Sequence, residues 1–422
     1  MPGAAHDADE VRDELGAWVL AAWDPELSLE AWRERLCDAG WMRPSWPTRW
    51  CGRDLPSWAG DLVDRVLADA GAVGGPDGVG AHLVAPTVLE HGPDEVRERL
   101  LRRTLTGALR WCQLFSEPGA GSDLAGLTTH ARRDGDEWVV RGQKVWTTSA
   151  HHADVGLLLA RTNWDVPKHE GITCFALEMR QPGVEVRPLR QMNGHASFNE
   201  VFLDDARVGI DDVIGEVDRG WQVAMTTLAH ERRLASLTRG VPRAGEPTGR
   251  VVREAIEESL RASEPYRWYP QRAGRVDLLV PLASSRGADA TARDAVTVAV
   301  ATHRVGQLTS RRAAAARAAG RSPGPEGSIG KLTSSEVARR AAVAHTRLAG
   351  AQALLDGPGS HLDGVVAEVL VSVPAVSIAG GTDEIQRTIL AERVLGLPKE
   401  PEDARTLPFR SFRTSGATPE AP

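Results

Sequence analysis

The chain has 422 residues and, at roughly 150 residues per domain, room for two or three domains with a sizeable core. A formal net charge of −7 argues against a nucleic-acid binder, and a 42% hydrophobic content argues against a disordered chain. Cys37, Cys51, Cys112 and Cys174 show neither C-x-x-C spacing nor a companion histidine cluster, so a zinc site and a disulfide framework are both unexpected.

Residues 1–10 are acidic and polar, without the basic start and apolar run of a secretory signal. No stretch reaches about 18 consecutive apolar residues, so no membrane span is expected and a cytoplasmic location fits.

In chain order, residues 1–110 read as an N-terminal helical domain. Segment 11–23 carries Leu15, Trp18, Val19 and Ala22 as a helical stripe, and 27–39, 58–70 and 94–106 look similar. Segment 41–50, with two prolines and three tryptophans, reads as an irregular connection packed by its indoles. Residues 111–213 change period. Runs 137–141 and 144–148 flank an expected Gly142-Gln143 turn, with another turn at Asp134-Gly135. Further short runs at 156–161, 172–178, 184–189 and 199–203 complete an expected antiparallel β domain, a barrel or sandwich. Residues 214–400 return to helix. Trp221, Met225, Leu228 and Arg232 are spaced as one face, 296–319 is Ala- and Arg-rich, and Thr333 to Glu336 matches a capping box. Residues 401–422 are expected to be a disordered tail.

Three ordered motifs carry a resemblance over roughly residues 15–400. SEPGAGSD stands at 116–123, RGQKVWTT at 141–148 and GTDEIQR at 381–387. With segments 198–205 and 215–232, these resemble the acyl-CoA dehydrogenase family. The WCQ at 111–113 and the aromatic run 266–275 resemble its actinobacterial members. The resemblance implies an α+β multidomain fold: an N-terminal helical domain, a central β domain and a C-terminal four-helix bundle. It also implies FAD as cofactor and oxidation of the Cα–Cβ bond of an acyl-CoA thioester, with electrons passing to an electron-transfer flavoprotein or similar acceptor.

The residues themselves suit such chemistry. Pro118, Gly119 and Gly121 make a bare backbone turn able to approach a ligand, and Ser116 and Ser122 add hydroxyls. By resemblance, the stretch from Gln113 and Phe115 through Ser116 and Gly121 to Ser122 touches the flavin, and Ser122 also faces the thioester. Trp146 and Thr148, two apart, are expected on one strand face. By resemblance, Trp146 lies against the flavin ring and Thr148 near its N5. Thr382 and Glu384 open a helix whose free N–H groups suit a diphosphate, and the resemblance places the adenosine and pyrophosphate part of FAD there.

The α-proton of the thioester requires a desolvated carboxylate base. Many members carry a glutamate immediately before the GTxxIQ glycine, but that position is Gly380 here. Others carry the base on the first long helix of the third domain, immediately before an arginine. The match is Glu231, followed by Arg232, which could offset its charge or line the substrate site; His230 is a weaker candidate.

Two family elements are missing. A partly basic linker, 241–250, replaces an arginine-led segment, and 352–359 replaces a glycine-rich QxxGGxG element. Both usually complete FAD sites between subunits, so a homo- or hetero-tetramer is expected, including a pair of unlike subunits. Other readings on this fold are an acyl-carrier-protein-linked dehydrogenase, a flavin oxidase or monooxygenase, and a catalytically silent partner subunit.

Overall fold

The computed structural model describes residues 7–234, 248–318, 324–399 and 406–411. Most of the 241–250 linker lies outside them. Packing divides the chain into two compact units. One comprises 1–189, 198–265 and 403–422; the other comprises 190–197 with 266–402.

The first unit opens with five helices: α1 (Ala8–Ala22), α2 (Leu29–Asp38), α3 (Ala59–Asp69), α4 (Ala85–His91) and α5 (Asp94–Thr106). Their ends follow from local chemistry. The side chains of Asp7 and Ser28 accept from Asp9 and Ala31 amides at the starts of α1 and α2, and Gly107 closes α5 at φ +87°. Leu15, Trp32, Leu36, Trp41, Leu101 and Leu105 form the centre of the helical core. Trp32 Nε1 donates to the Val73 carbonyl at 2.6 Å, so the indole is buried without an orphaned donor.

The β layer has seven strands: β1 (Trp111–Leu114), β2 (His130–Asp134), β3 (Glu137–Thr148), β4 (Val155–Arg161), β5 (Ile172–Glu178), β6 (Val184–Leu189) and β7 (Phe198–Gly209). Their order is β1-β4-β2-β3-β7-β6, with β5 added to β4. Pairing is antiparallel except where β4 meets β1 and touches β2 at His130↔Arg161. The expected Gly142-Gln143 turn does not exist: β3 runs through it. Gly142 sits there at φ +150°, and a Cβ would lie 2.7 Å from the Thr129 Cα. That glycine marks a close backbone approach inside a strand rather than a reversal.

Helices α6 (Gly220–Leu234) and α7 (Arg250–Ser263) follow. They belong to this unit, so the packing does not place a boundary at 213/214. A Cβ on Gly220 would lie 2.6 Å from the Thr173 and Cys174 backbone, which is how α6 starts against β5. Glu254 of α7 accepts from the Leu29 amide at 2.7 Å, and Glu258 pairs bidentately with buried Arg33 at 2.9 and 2.5 Å. The expected featureless tail is also interrupted. Residues 409–411 form a helical turn, with Phe409 buried against Trp164.

In the second unit, α8 (Tyr269–Arg272), α9 (Leu279–Arg286), α10 (Ala290–Ala318), α11 (Glu326–Ala349), α12 (Val365–Ser372), α13 (Pro374–Ile378) and α14 (Asp383–Arg393) form a helical assembly. Ala292, Ala295, Val296 and Ala299 of α10 face Ala341, Ala344 and Leu348 of α11, and these small side chains permit close helix packing. Thr333 lies inside α11, not at its start. Its hydroxyl donates back to the Ile329 carbonyl at 2.8 Å, so the capping-box pattern at 333–336 marks no helix end.

An 18-residue window within Leu362–Arg393 reaches mean hydropathy 1.8, apolar enough for a membrane span and contrary to expectation. Extended backbone at Ala379 and positive φ at Gly380 and Gly381 divide it into helical stretches over 365–378 and 383–393. Each is shorter than the roughly 20 residues a bilayer requires.

Asp383, at the start of α14, is buried. It accepts from Lys331 Nζ, Ser335 Oγ and Arg339 NH1, each at 2.7 Å. Burial pushes its carboxyl up, but these donors hold it well below the usual range. Asp383→Ala is expected to cost about 2–3 kcal/mol, below the usual figure for breaking a buried pair because Arg339 is partly exposed. Urea midpoints measure this; a loss under about 0.5 kcal/mol would contradict the reading.

Candidate active site

The site residues of the first unit are organised by one buried ion pair. Lys144, 0% exposed on β3, donates through Nζ to Glu117 Oε1 at 2.8 Å and to the Phe115 carbonyl at 3.1 Å. Glu117, 6% exposed, also accepts from the Thr128 amide (2.7 Å), the Thr128 hydroxyl (3.0 Å) and the Thr129 amide (2.9 Å). Burial pushes its carboxyl up, but Lys144 and these donors outweigh that and hold it at about 2. Glu117 is therefore a carboxylate anchor, not an acid–base group at neutral pH. Sequence reasoning passed over both residues, although the motifs contain them: the second letter of SEPGAGSD and the lysine of RGQKVWTT.

Around that anchor the chain makes a tight turn. The Glu117 and Ala120 amides and carbonyls pair at 3.0 and 3.1 Å, leaving Pro118 and Gly119 exposed at the tip. Gln113 and Leu114 are paired to β4, Phe115 is buried, and the Ser116 carbonyl accepts from the Val145 amide at 2.9 Å. Gly121 and Ser122 are exposed. A Cβ on Gly121 would meet no protein atom within 4 Å, and its φ is not left-handed. The chain's own packing does not require a glycine there, which fits a backbone left bare for a ligand.

Beside the turn, β3 bulges. Its register with β7 slips between Lys144 and Thr147, and Trp146 occupies the bulge at φ +61°. Trp146 is 57% exposed, with its ring edge-on to Phe198 at 5.7 Å. A bulky residue in the left-handed region is strained, and bulges that re-aim a side chain cluster at functional sites. Thr148 is back in register opposite Phe198, the same residue whose ring Trp146 meets edge-on. Thr147 Oγ1, between them, is buried with no hydrogen-bond partner among the described residues.

Helix α6 belongs to the same unit. Val223, Ala224 and Thr227 form its buried face, with Trp221 and Leu228 partly buried alongside. This face differs from the one the spacing of Trp221, Met225, Leu228 and Arg232 suggested. Glu231 stands one turn beyond Thr227 on the buried side and is half-buried; His230 is also half-buried. The Arg232 side chain lies outside the described residues.

In the second unit, Thr382 caps α14: its hydroxyl oxygen accepts from the Ile385 amide at 3.2 Å. Glu384 points outward with its side chain 78% exposed, and Gly380 and Gly381 both have positive φ.

A pinned glycine turn, an exposed strained tryptophan and a helical carboxylate lie within one compact unit. The chain belongs to the acyl-CoA dehydrogenase family. The family descriptions "Acyl-CoA dehydrogenase, middle domain" and "Acyl-CoA dehydrogenase, C-terminal domain" match residues 112–206 and 286–395. The acyl-CoA dehydrogenase IpdE1 of Mycobacterium tuberculosis is 33% identical over 94% of this chain and 91% of its own length. The acyl-CoA dehydrogenase FadE34 of the same organism is 39% identical over 92% of this chain, which spans about half (49%) of FadE34. Among solved structures, the ChsE4-ChsE5 complex from M. tuberculosis superposes with a TM-score of 0.61 at 27% identity, covering 94% of this chain and 100% of that one.

Proposed function

We propose that this chain oxidises an acyl-CoA thioester between Cα and Cβ with FAD. The observation that carries the reading is Trp146, held exposed and strained beside the turn that Glu117 and Lys144 anchor. The residues present suit FAD: an open aromatic face, the bare Gly121 backbone, and hydroxyls at Ser116, Ser122 and Thr148. FAD, when bound, supplies the acceptor at N5 for the hydride leaving Cβ. Glu231 takes the α-proton onto its carboxylate from its half-buried position on α6. Arg232 orients the thioester or balances Glu231. Thr382 and the first amides of α14 hold the pyrophosphate part, the outward Glu384 borders the adenosine, and the electrons leave to an electron-transfer flavoprotein or similar acceptor.

A panel of acyl-CoA thioesters of differing length and branching, added anaerobically to the flavin-loaded protein, tests this. Bleaching of the flavin bands by at least one thioester is expected. Absence of bleaching across the panel, with rapid reoxidation by O2 after chemical reduction, would favour an oxidase instead.

A specific observation favours assembly with an unlike homologous chain. Segments 241–250 and 352–359 depart from the family elements that complete FAD sites between subunits, and Leu354, Ile378 and Leu395 are exposed apolar residues of the second unit. The ChsE4-ChsE5 structure is, by its name, a complex.

A further inference from the structure

Arg161, at the end of β4, is 0% exposed yet forms no ion pair among the described residues. Its guanidinium is held by backbone carbonyls: Ala125 at 2.7 Å, Leu127 at 3.2 Å and Lys168 at 3.1 Å. NH1 is buried with no partner among the described residues. A buried cation lacking a carboxylate is costly unless other groups stabilise it. Here the second stabiliser is aromatic. The guanidinium carbon lies 3.7 Å from the centroid of the Phe409 ring and 5.6 Å from that of Trp164.

Phe409 comes from the far C-terminal segment, more than 240 positions along the chain. That segment is tied down by its own backbone. The Phe409 amide donates to the Val166 carbonyl at 2.9 Å, the Arg410 amide to the Trp164 carbonyl at 3.1 Å, and Arg410 Nε pairs with Asp165 at 2.5 Å. Phe409 is 3% exposed. The carbonyls that Arg161 grips at Ala125 and Leu127 belong to the limb descending from the Ser116–Asp123 turn. Lys168, whose carbonyl Arg161 also holds, reaches back with Nζ to Asp123 at 3.0 Å.

We propose that the 406–411 segment is a strap whose Phe409 ring, through Arg161, fixes the far limb of the glycine turn and thereby sets how tightly that turn holds its flavin. The near limb is fixed by Glu117 and Lys144, so the turn is clamped at both ends. Arg161 and Phe409 act through the 124–127 limb and are positioning residues. The flavin part rests on the FAD reading above; the clamping part does not.

The test uses full-length protein with Phe409→Ala, and with Phe409→Leu, which keeps apolar volume but removes the aromatic face. Amide hydrogen exchange of peptides covering 117–127 is compared with that of α11 in the second unit, and FAD affinity is titrated by flavin fluorescence. Both variants are expected to speed exchange at 117–127 on the order of fivefold or more while α11 is unchanged. FAD binding is expected to weaken about tenfold, the scale of one lost charge-assisted contact. Unchanged exchange at 117–127 in Phe409→Leu, or an equal rise in α11, would overturn the strap. A wild-type chain that binds no FAD, either alone or with its homologous partner chain, would sink the flavin reading, while the exchange comparison would still decide the clamp.

Discussion

Lys144→Met is expected to destabilise the first unit by about 3–5 kcal/mol and to strip it of flavin. The substitution removes the only cation that forms an ion pair with Glu117 among the described residues, in a site with 0% and 6% exposure. The remaining carboxylate keeps three donors from Thr128 and Thr129 but loses its countercharge. It must then take up a proton or drag the turn into water, and the Phe115 carbonyl loses its Lys144 donor in either case. Paired replacement, Glu117→Gln with Lys144→Met, is expected to recover most of the loss, because exchanging a buried pair for neutral groups leaves no orphaned charge. Urea unfolding of both variants measures the difference. A loss below about 1 kcal/mol for Lys144→Met alone would show that the pair does not anchor the turn.

Glu231→Gln is expected to lower the rate of flavin bleaching by acyl-CoA about 100- to 10,000-fold, the range a positioned general base contributes. The amide keeps the size and shape of the side chain but cannot take the α-proton. Flavin content and melting temperature are therefore expected to match wild type, which separates loss of the base from loss of the fold. His230→Gln is the companion variant, with a rate close to wild type expected. Single-turnover anaerobic mixing gives both rates. Bleaching at the wild-type rate in Glu231→Gln would remove it as the base.

What the sequence reveals about this site is uneven, and the unevenness has physical causes. The glycine turn and the Trp146 strand are legible because their motifs concentrate residue types with few other uses: bare backbone, hydroxyls and an aromatic ring within short spans. The roles of Glu117 and Lys144 are not legible, since an ion pair 27 positions apart depends on how the turn lies across β3. The strain at Trp146 is hidden for the same reason: the register slip that sets it at positive φ arises from pairing with β7, which local spacing does not encode. Gly142 looks like a turn because glycine favours turns; close approach to Thr129 is a tertiary demand on the same residue. Thr333 resembles a cap because its neighbours match the pattern, while continued packing of α11 carries the helix through it. Phe409 sits in a polar, proline-bearing stretch, and its burial depends on tertiary partners, the Arg161 guanidinium and the Trp164 ring, that local sequence does not show.

Titration of the purified apoprotein with FAD, followed through flavin fluorescence, tests the central claim most directly. The account predicts saturable binding, by the chain alone or with its homologous partner chain, with strong quenching by the Trp146 indole that is largely lost in Trp146→Leu. Absence of FAD binding in both settings, or quenching unaltered by Trp146→Leu, would contradict it.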